Sequence, residues 1–266
     1  MPEQDQEHLA KVLLRVQRLD RFFGGVQAVK RLSMVVKEGR IVALIGPNGA
    51  GKTTVFNVIT NIYPPTDGHI FFSDANGQEI PVSNLRTDLV CEAGIARTFQ
   101  NIRLFEDLTV LDNVKLGLHR HTNSGVTGAL FRLRSFRKEE QEVDLASWKY
   151  LEFVGLEERS HETASSLSYG EQRRLEIARA LATQPRLLLL DEPAAGMNPL
   201  ETEDLMALIR RIREHGITIL LIEHDMKLVM EISDTIYVLD HGELIAHGEP
   251  EEIQSDSKVI EAYLGG

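Results

Sequence analysis

The sequence predicts an α/β protein: a largely parallel sheet covered by helices, an antiparallel β layer in its N-terminal part and a helical subdomain set into the core. Three observations carry this prediction. Short apolar runs at Ile41–Ile45, 187–190, 217–222 and 236–239 are rich in leucine and β-branched residues and read as fully buried strands. Helical spacings alternate with them, and strand–helix–strand alternation implies parallel strands. From about 101 to 166 no strong strand pattern appears.

Each element has a local cause. Residues 12–17, 34–36 and 70–73 read as strands separated by turn signals that include Pro64-Pro65 and Asp67-Gly68. After the Ile41–Ile45 strand, Val55, Val58, Ile59 and Ile62 repeat at helical spacing. Thr109 with Asp112 opens a helix, and 143–153 forms another. Ser168 and Glu171 make a capping box before a helix from about 171 to 183. Asn198 as N-cap, Pro199 at the first helical position and Glu201 two residues on start a further helix, with Leu205, Leu208, Ile209 and Ile212 on its apolar face. There is no internal repeat and no low-complexity tract.

Composition narrows the function. The 266 residues can bury a sizeable core, and 42% hydrophobic with 26% charged residues is ordinary for a globular chain. A net charge of −11 argues against a nucleic-acid partner, whose backbone demands a field of Lys and Arg. It permits a nucleotide, since one phosphate chain needs only a local cluster of donors. The single cysteine, Cys91, cannot form an internal disulfide, which makes a reducing cytoplasm the default. The acidic start MPEQDQEHLA has no signal-peptide pattern. The richest apolar runs fall far short of the ~20 residues of a membrane helix, so membrane association is expected through a partner.

Gly46-Pro47-Asn48-Gly49-Ala50-Gly51-Lys52-Thr53 fits G-x-x-x-x-G-K-[ST], placed between an apolar strand and a helical pattern. Glycines let successive backbone N–H groups point at phosphate oxygens, and the helix start adds its positive dipole end. Lys52 is expected at the β- and γ-phosphates, Thr53 on Mg²⁺ and Thr54 beside it in the same site. A ligand-free glycine turn is the alternative, and the motif alone does not separate transporter ATPases from GTPases or kinases. The run 187–190 then ends in Asp191-Glu192-Pro193. A carboxylate at the end of a buried strand is the expected second metal anchor, hence Asp191. A second acid beside it repels the first unless it has a task, and Glu192 is placed to accept a proton from, or orient, an attacking water.

Leu167-Ser168-Tyr169-Gly170-Glu171-Gln172, upstream of the Asp-Glu strand, brings the sequence to a resemblance with the ABC ATPase family, whose signature reads LSGGQ. The resemblance covers nearly the whole chain with its elements in order. It implies a RecA-like P-loop NTPase core at 11–100 plus 171–266, a helical signature subdomain at 101–170, and one domain over 1–266. It also implies roles. Phe23 resembles the aromatic that stacks on adenine, with an ordinary core Phe as the alternative. Gln100 matches the glutamine that reaches metal and water, and Ala195-Gly196-Met197-Asn198 stands at the family's SALD loop. His224, in Glu223-His224-Asp225, matches the histidine at the γ-phosphate. Three positions depart from the pattern: Tyr169 and Glu171 in the signature, and Asn198 for the aspartate of the loop.

By the same resemblance, the signature of one chain faces the phosphate loop of another, so two chains sandwich two ATP molecules and a monomer hardly hydrolyses. The stretches 94–105, 167–182 and 223–226 resemble the larger ATP-binding subunit of branched-chain amino acid uptake systems. That implies ATP and Mg²⁺ as ligands and transmembrane permease subunits docking near Gln100 and 101–107. It implies a second, identical or related ATP-binding subunit, an indirect link to a solute-binding protein, and a peripheral place on the cytoplasmic face of the inner (plasma) membrane. Arg132, Arg134, Arg137 and Lys138 in the 121–144 segment read as a solvated helix face, with membrane or partner contact as the alternative. Rival functions are another transport branch (urea uptake or lipopolysaccharide export), a soluble ABC ATPase of repair or translation, a P-loop GTPase or kinase, and a non-enzymatic ATP-binding regulator. The intact Glu192 speaks against the last.

Overall fold

The computed structural model describes residues 11–118 and 134–264. The 121–144 segment therefore lies largely outside the described residues, and so do the side chains of Arg132, Arg134, Arg137 and Lys138.

Two sheets form the framework. The first is antiparallel, in the order β2 (Val26–Lys37), β1 (Val12–Phe23), β4 (Asp67–Ser73) and β5 (Glu79–Pro81). The second has the order β10 (Glu243–Gly248), β9 (Thr235–Asp240), β3 (Ile41–Ile45), β8 (Thr218–Ile222), β7 (Leu187–Asp191) and β6 (Ile95–Arg97). It is parallel from β9 to β6, and only β10 runs antiparallel.

The central strands explain the unbroken apolar runs. All five residues of β3, of β7 and of β8 are buried, because the sheet is covered on both faces. Alternate residues feed two cores. Val42, Leu44, Leu187, Leu189 and Leu220 pack with β1, β2, β4 and the helix α1 (Lys52–Ile59). Ile41, Ala43, Leu188, Leu190 and Ile219 pack on the other face with most of the remaining helices. Each leucine so enclosed stabilises the fold by roughly 1.5–3 kcal/mol.

The helix α2 (Thr87–Glu92) leads into β6, and between β6 and β7 the chain leaves the sheet. There the helices α3 (Val110–Leu118), α4 (Arg134–Val154) and α5 (Tyr169–Ala182) follow in chain order and pack on one another. α3 comes so close to α5 that a Cβ at Gly117 would lie 2.4 Å from the Arg179 carbonyl oxygen. α6 (Pro199–Glu214), α7 (Met226–Ile232), α8 (Pro250–Ser255) and α9 (Ser257–Leu264) complete the covering.

Departures from the sequence reading have local reasons. α1 ends at Ile59, since Thr60 closes the turn and Asn61 takes a left-handed φ of 52°, so Ile62 lies beyond the helix and is exposed. β1 and β2 run longer than the 12–17 and 34–36 readings implied, because their outer ends alternate with polar residues. α6 starts where Asn198 predicted: its side chain accepts from the Leu200 and Glu201 amides, each at 3.0 Å, and Glu201 accepts from the Asn198 amide at 2.9 Å. Asn198→Ala should therefore lower stability by about 1 kcal/mol while Asn198→Asp leaves it nearly unchanged; urea denaturation of both variants checks this.

Candidate active site

The phosphate loop leaves β3 at Gly46, whose φ of 148° and contacts admit no side chain: a Cβ there would lie 2.0 Å from the Leu239 carbonyl oxygen. Gly51, at φ 100°, is the N-cap of α1 and offers no side chain to its first amides. A Cβ at Gly51 would meet the Ala28 carbonyl at 2.4 Å. The orphan donors of a helix start are thus left for an anion. Lys52 is buried, and its ammonium donates to the carbonyls of Gly46 at 2.6 Å and Pro47 at 2.9 Å. Burial pushes its pKa down, opposed by the charges of Glu192 and Asp191. The Thr53 side chain is exposed and makes no hydrogen bond among the described residues.

Across the sheet, Asp191 ends β7 with a side chain only 1% exposed. Its Oδ2 accepts from Arg97 Nη2 at 2.6 Å, while Oδ1 is buried without a partner. Desolvation raises the Asp191 pKa against the pull of Arg97, and desolvation lowers the Arg97 pKa against the pull of Asp191. The other nitrogen of Arg97, Nη1, donates to Asn57 at 2.8 Å and Thr60 at 3.3 Å, tying the acid to α1.

Glu192 follows at φ 47°, a left-handed conformation that a non-glycine residue adopts at a cost and that turns its carboxylate out of the sheet. There Oε2 accepts from Gln100 Nε2 at 2.8 Å and Oε1 meets His224 Nε2 at 2.6 Å. Gln100, Glu192 and His224, singled out separately from the sequence, thus form one hydrogen-bonded chain. Glu223 holds this arrangement from below. Its carboxylate accepts from the Ala194 amide at 2.7 Å and the His224 amide at 3.0 Å, and burial raises its pKa.

Phe23 is not a core residue. Its ring is exposed, stands edge-on to Tyr63 with centroids 5.3 Å apart, and carries the Arg21 guanidinium at 4.5 Å. The signature tip lies elsewhere on the surface. Ser168 caps α5, accepting from the Glu171 amide at 3.4 Å and giving its own amide to Glu171 at 2.8 Å. Glu171 also pairs with Arg159 at 3.2 Å. Leu167 is buried, and Tyr169 and Gly170 face the Gly196 turn and Glu201, beside the Asn198 cap. Among the described residues no hydrogen bond or ion pair joins this tip to the Gly46–Thr54 loop of the same chain.

The donor set suits magnesium. One strand-end carboxylate with a free buried oxygen, an unpaired threonine hydroxyl and a glutamine amide are hard oxygen ligands, and Mg²⁺ commonly takes few of these and completes its shell with water and phosphate. No cluster of three or more His, Cys, Asp or Glu side chains suited to a metal exists among the described residues.

The family model described as "ABC transporter" matches residues 29–195. The chain belongs to the ABC transporter ATP-binding family. A second model, "Branched-chain amino acid ATP-binding cassette transporter", matches residues 243–266 of this ABC cassette. The cassette is 48% identical over 258 residues to the high-affinity branched-chain amino acid transport ATP-binding protein BraF of Pseudomonas aeruginosa, covering 97% of this chain and 99% of that protein. Among solved structures it resembles the ADP conformation of an ATP-binding cassette of an ABC transporter, with TM-score 0.82, 34% identity and coverage of 96% and 99%. It also resembles a bacterial ABC transporter cassette solved as a dimer, with TM-score 0.75, 26% identity and coverage of 90% and 99%. As an ABC ATPase it is a nucleotide-binding enzyme that works with membrane subunits, and no helix among its described residues is long and apolar enough to cross a membrane.

Three side chains of the cassette's site escaped sequence reasoning as functional groups. Arg97 and Glu223 were passed over as neighbours of Gln100 and His224. Tyr263 on α9 stands near the phosphate loop, its phenol pKa raised by burial and pulled back by the Gly46 backbone. No local pattern marks any of them. Removing Arg97 would strand a buried carboxylate, so Arg97→Met should destabilise the fold by about 3–5 kcal/mol at pH 8. Without the guanidinium the Asp191 pKa rises further, so the native state holds a proton that the unfolded chain releases. The loss should therefore shrink as pH falls towards 5, which denaturation of the variant and parent at both pH values measures.

Proposed function

We propose that this chain is the larger ATP-binding and ATP-hydrolysing subunit of a branched-chain amino acid uptake transporter. The hydrogen-bonded chain Gln100–Glu192–His224 at the end of β7, facing the phosphate loop, carries the ATPase reading. The 48% identity to BraF across 97% of the chain carries the substrate class.

Chemistry follows from placement. The loop Gly46–Thr54 binds the phosphates, Lys52 turns from its own loop carbonyls to the β- and γ-phosphates, and Phe23 with Tyr63 offers a ring face to adenine. Thr53, Asp191 and Gln100 would hold Mg²⁺, which would supply charge neutralisation on the phosphates. Glu192 accepts the proton of the attacking water, and His224, already at its other oxygen, orients it and reaches the γ-phosphate. The Glu192 side chain is 12% exposed, so the base is shielded yet reachable from solvent.

The subunit works as half of a pair. The tip Leu167, Ser168, Tyr169, Gly170 and Glu171 lies away from its own phosphate loop and meets the loop of an identical or related ATP-binding subunit, head to tail, with Asn198 beside it at the junction. The permease subunits dock at the cytoplasmic face of the inner membrane in a groove of about 770 Å³ lined by Ile62, Val90, Phe99, Arg103, Phe105 and Leu116. A solute-binding protein connects only through them. The functional division is an ATP-binding core at 11–100 and 171–266 with a signature subdomain at 101–170.

Two variants test the assignment in the assembled transporter. Glu192→Gln should keep ATP affinity, lower turnover by a factor of about a hundred or more and hold the dimer closed; hydrolysis at the parent rate would refute the role of Glu192. Lys52→Ala should lose nucleotide affinity in a direct titration, and unaltered affinity would refute the role of the loop.

A further inference from the structure

The interior of α5 holds a charged pair that the site described so far does not use. Arg173 and Glu176 are 0% and 2% exposed and meet at 2.9 Å. A buried ion pair is seldom more stabilising than an apolar pair of the same volume, so its partners matter more than its existence. Those partners are almost all backbone groups of one loop. Arg173 Nη1 donates to the Phe99 carbonyl at 2.6 Å and Nη2 to the Gln100 carbonyl at 2.8 Å. Glu176 Oε1 accepts from the amides of Phe99 at 3.4 Å and Arg103 at 3.3 Å. Arg179, one turn further on, donates to the Arg103 carbonyl. Toward the other end of the helix, Arg173 Nη2 also donates to the Tyr169 hydroxyl at 3.2 Å, within the signature tip.

We propose that Arg173 and Glu176 are positioning residues that fasten the Gln100 loop to the signature helix, so that the Gln100–Glu192 contact is set by where α5 lies against the sheet. The proposal rests on the ATPase reading above. The loop 99–103 lies in no helix or strand, so its polar backbone finds partners outside a ladder, and Arg173 and Glu176 supply four of them. Only a planar guanidinium can serve two successive carbonyls at once, and its carboxylate partner takes the amides of the same loop. Loop and helix therefore move together, while Glu192 moves with β7. A displacement of α5 that brings Ser168 and Gly170 toward a nucleotide must carry Gln100 along the Glu192 carboxylate. Phe99 and Arg103 also line the groove described above, so a segment seated there bears on the same pair.

The test uses the full chain in its assembled transporter and compares the parent, Gln100→Ala, the volume-matched double variant Arg173→Met/Glu176→Leu, and the triple combination. The double variant should keep its ATP dissociation constant within about twofold, lose about tenfold or more in kcat, and make the further Gln100→Ala change nearly silent. Parent-like kcat, or a Gln100→Ala loss that multiplies undiminished, overturns the proposal. Should the double variant not fold, Arg173→Lys keeps the charge next to Glu176 but cannot grip both carbonyls. It should lower kcat several-fold at unchanged ATP affinity, and full activity overturns the proposal. If the parent hydrolyses ATP and Lys52→Ala abolishes binding, the ATPase reading stands whatever these variants do.

Discussion

The site depends on one packing constraint: β7, buried on both faces, must deliver two acids at its carboxyl end. Four leucines fix the strand in the middle of the molecule, and the chain then has to place Asp191 and Glu192 next to each other without paying for two desolvated charges in one spot. The solution separates them. Asp191 stays within the strand and is neutralised by Arg97, while the left-handed turn at Glu192 swings the second carboxylate out to Gln100 and His224. Like charges that would repel each other side by side are thus given separate partners, Arg97 for one and Gln100 with His224 for the other.

The remaining geometry follows from that placement. Gln100 arrives on the loop after β6, the strand beside β7, and His224 arrives on the turn after β8, on its other side. Two neighbouring strands thus present partners to the acid between them, as expected where parallel strands end together. Glu223 links the two turns through the amides of Ala194 and His224. The phosphate loop stands on the next strand, β3, where carbonyls of Leu239 and Ala28 press so closely that only glycine fits at Gly46 and Gly51.

Much of this was legible in the sequence because its causes are local. Buried strands appear as unbroken apolar runs, the start of α6 as Asn198, Pro199 and Glu201, and the anion loop as glycines at fixed spacing. The elements that were missed have weak local signals: β6 is three residues long, and every residue of β10 keeps some contact with solvent. The missing site residues fail for another reason. Arg97 lies 94 positions from Asp191, and Arg173 lies 74 from Phe99, so nothing in either neighbourhood announces the pairing. On the helix, Arg173 and Glu176 look like solvated charges at an i, i+3 spacing, and burial alone gives them meaning. Motif resemblance could supply Gln100, Glu192 and His224 one at a time; only the fold brings their side chains to one carboxylate.

The central claim is that each cassette holds half of an active site whose other half is the signature tip of a facing cassette. The most direct measurement is a structure of the assembled transporter with a non-hydrolysable ATP analogue. The account predicts Ser168 and Gly170 of each cassette against the γ-phosphate held by Lys52 of the cassette opposite. Nucleotide bound at Lys52 with every signature tip facing solvent would contradict it.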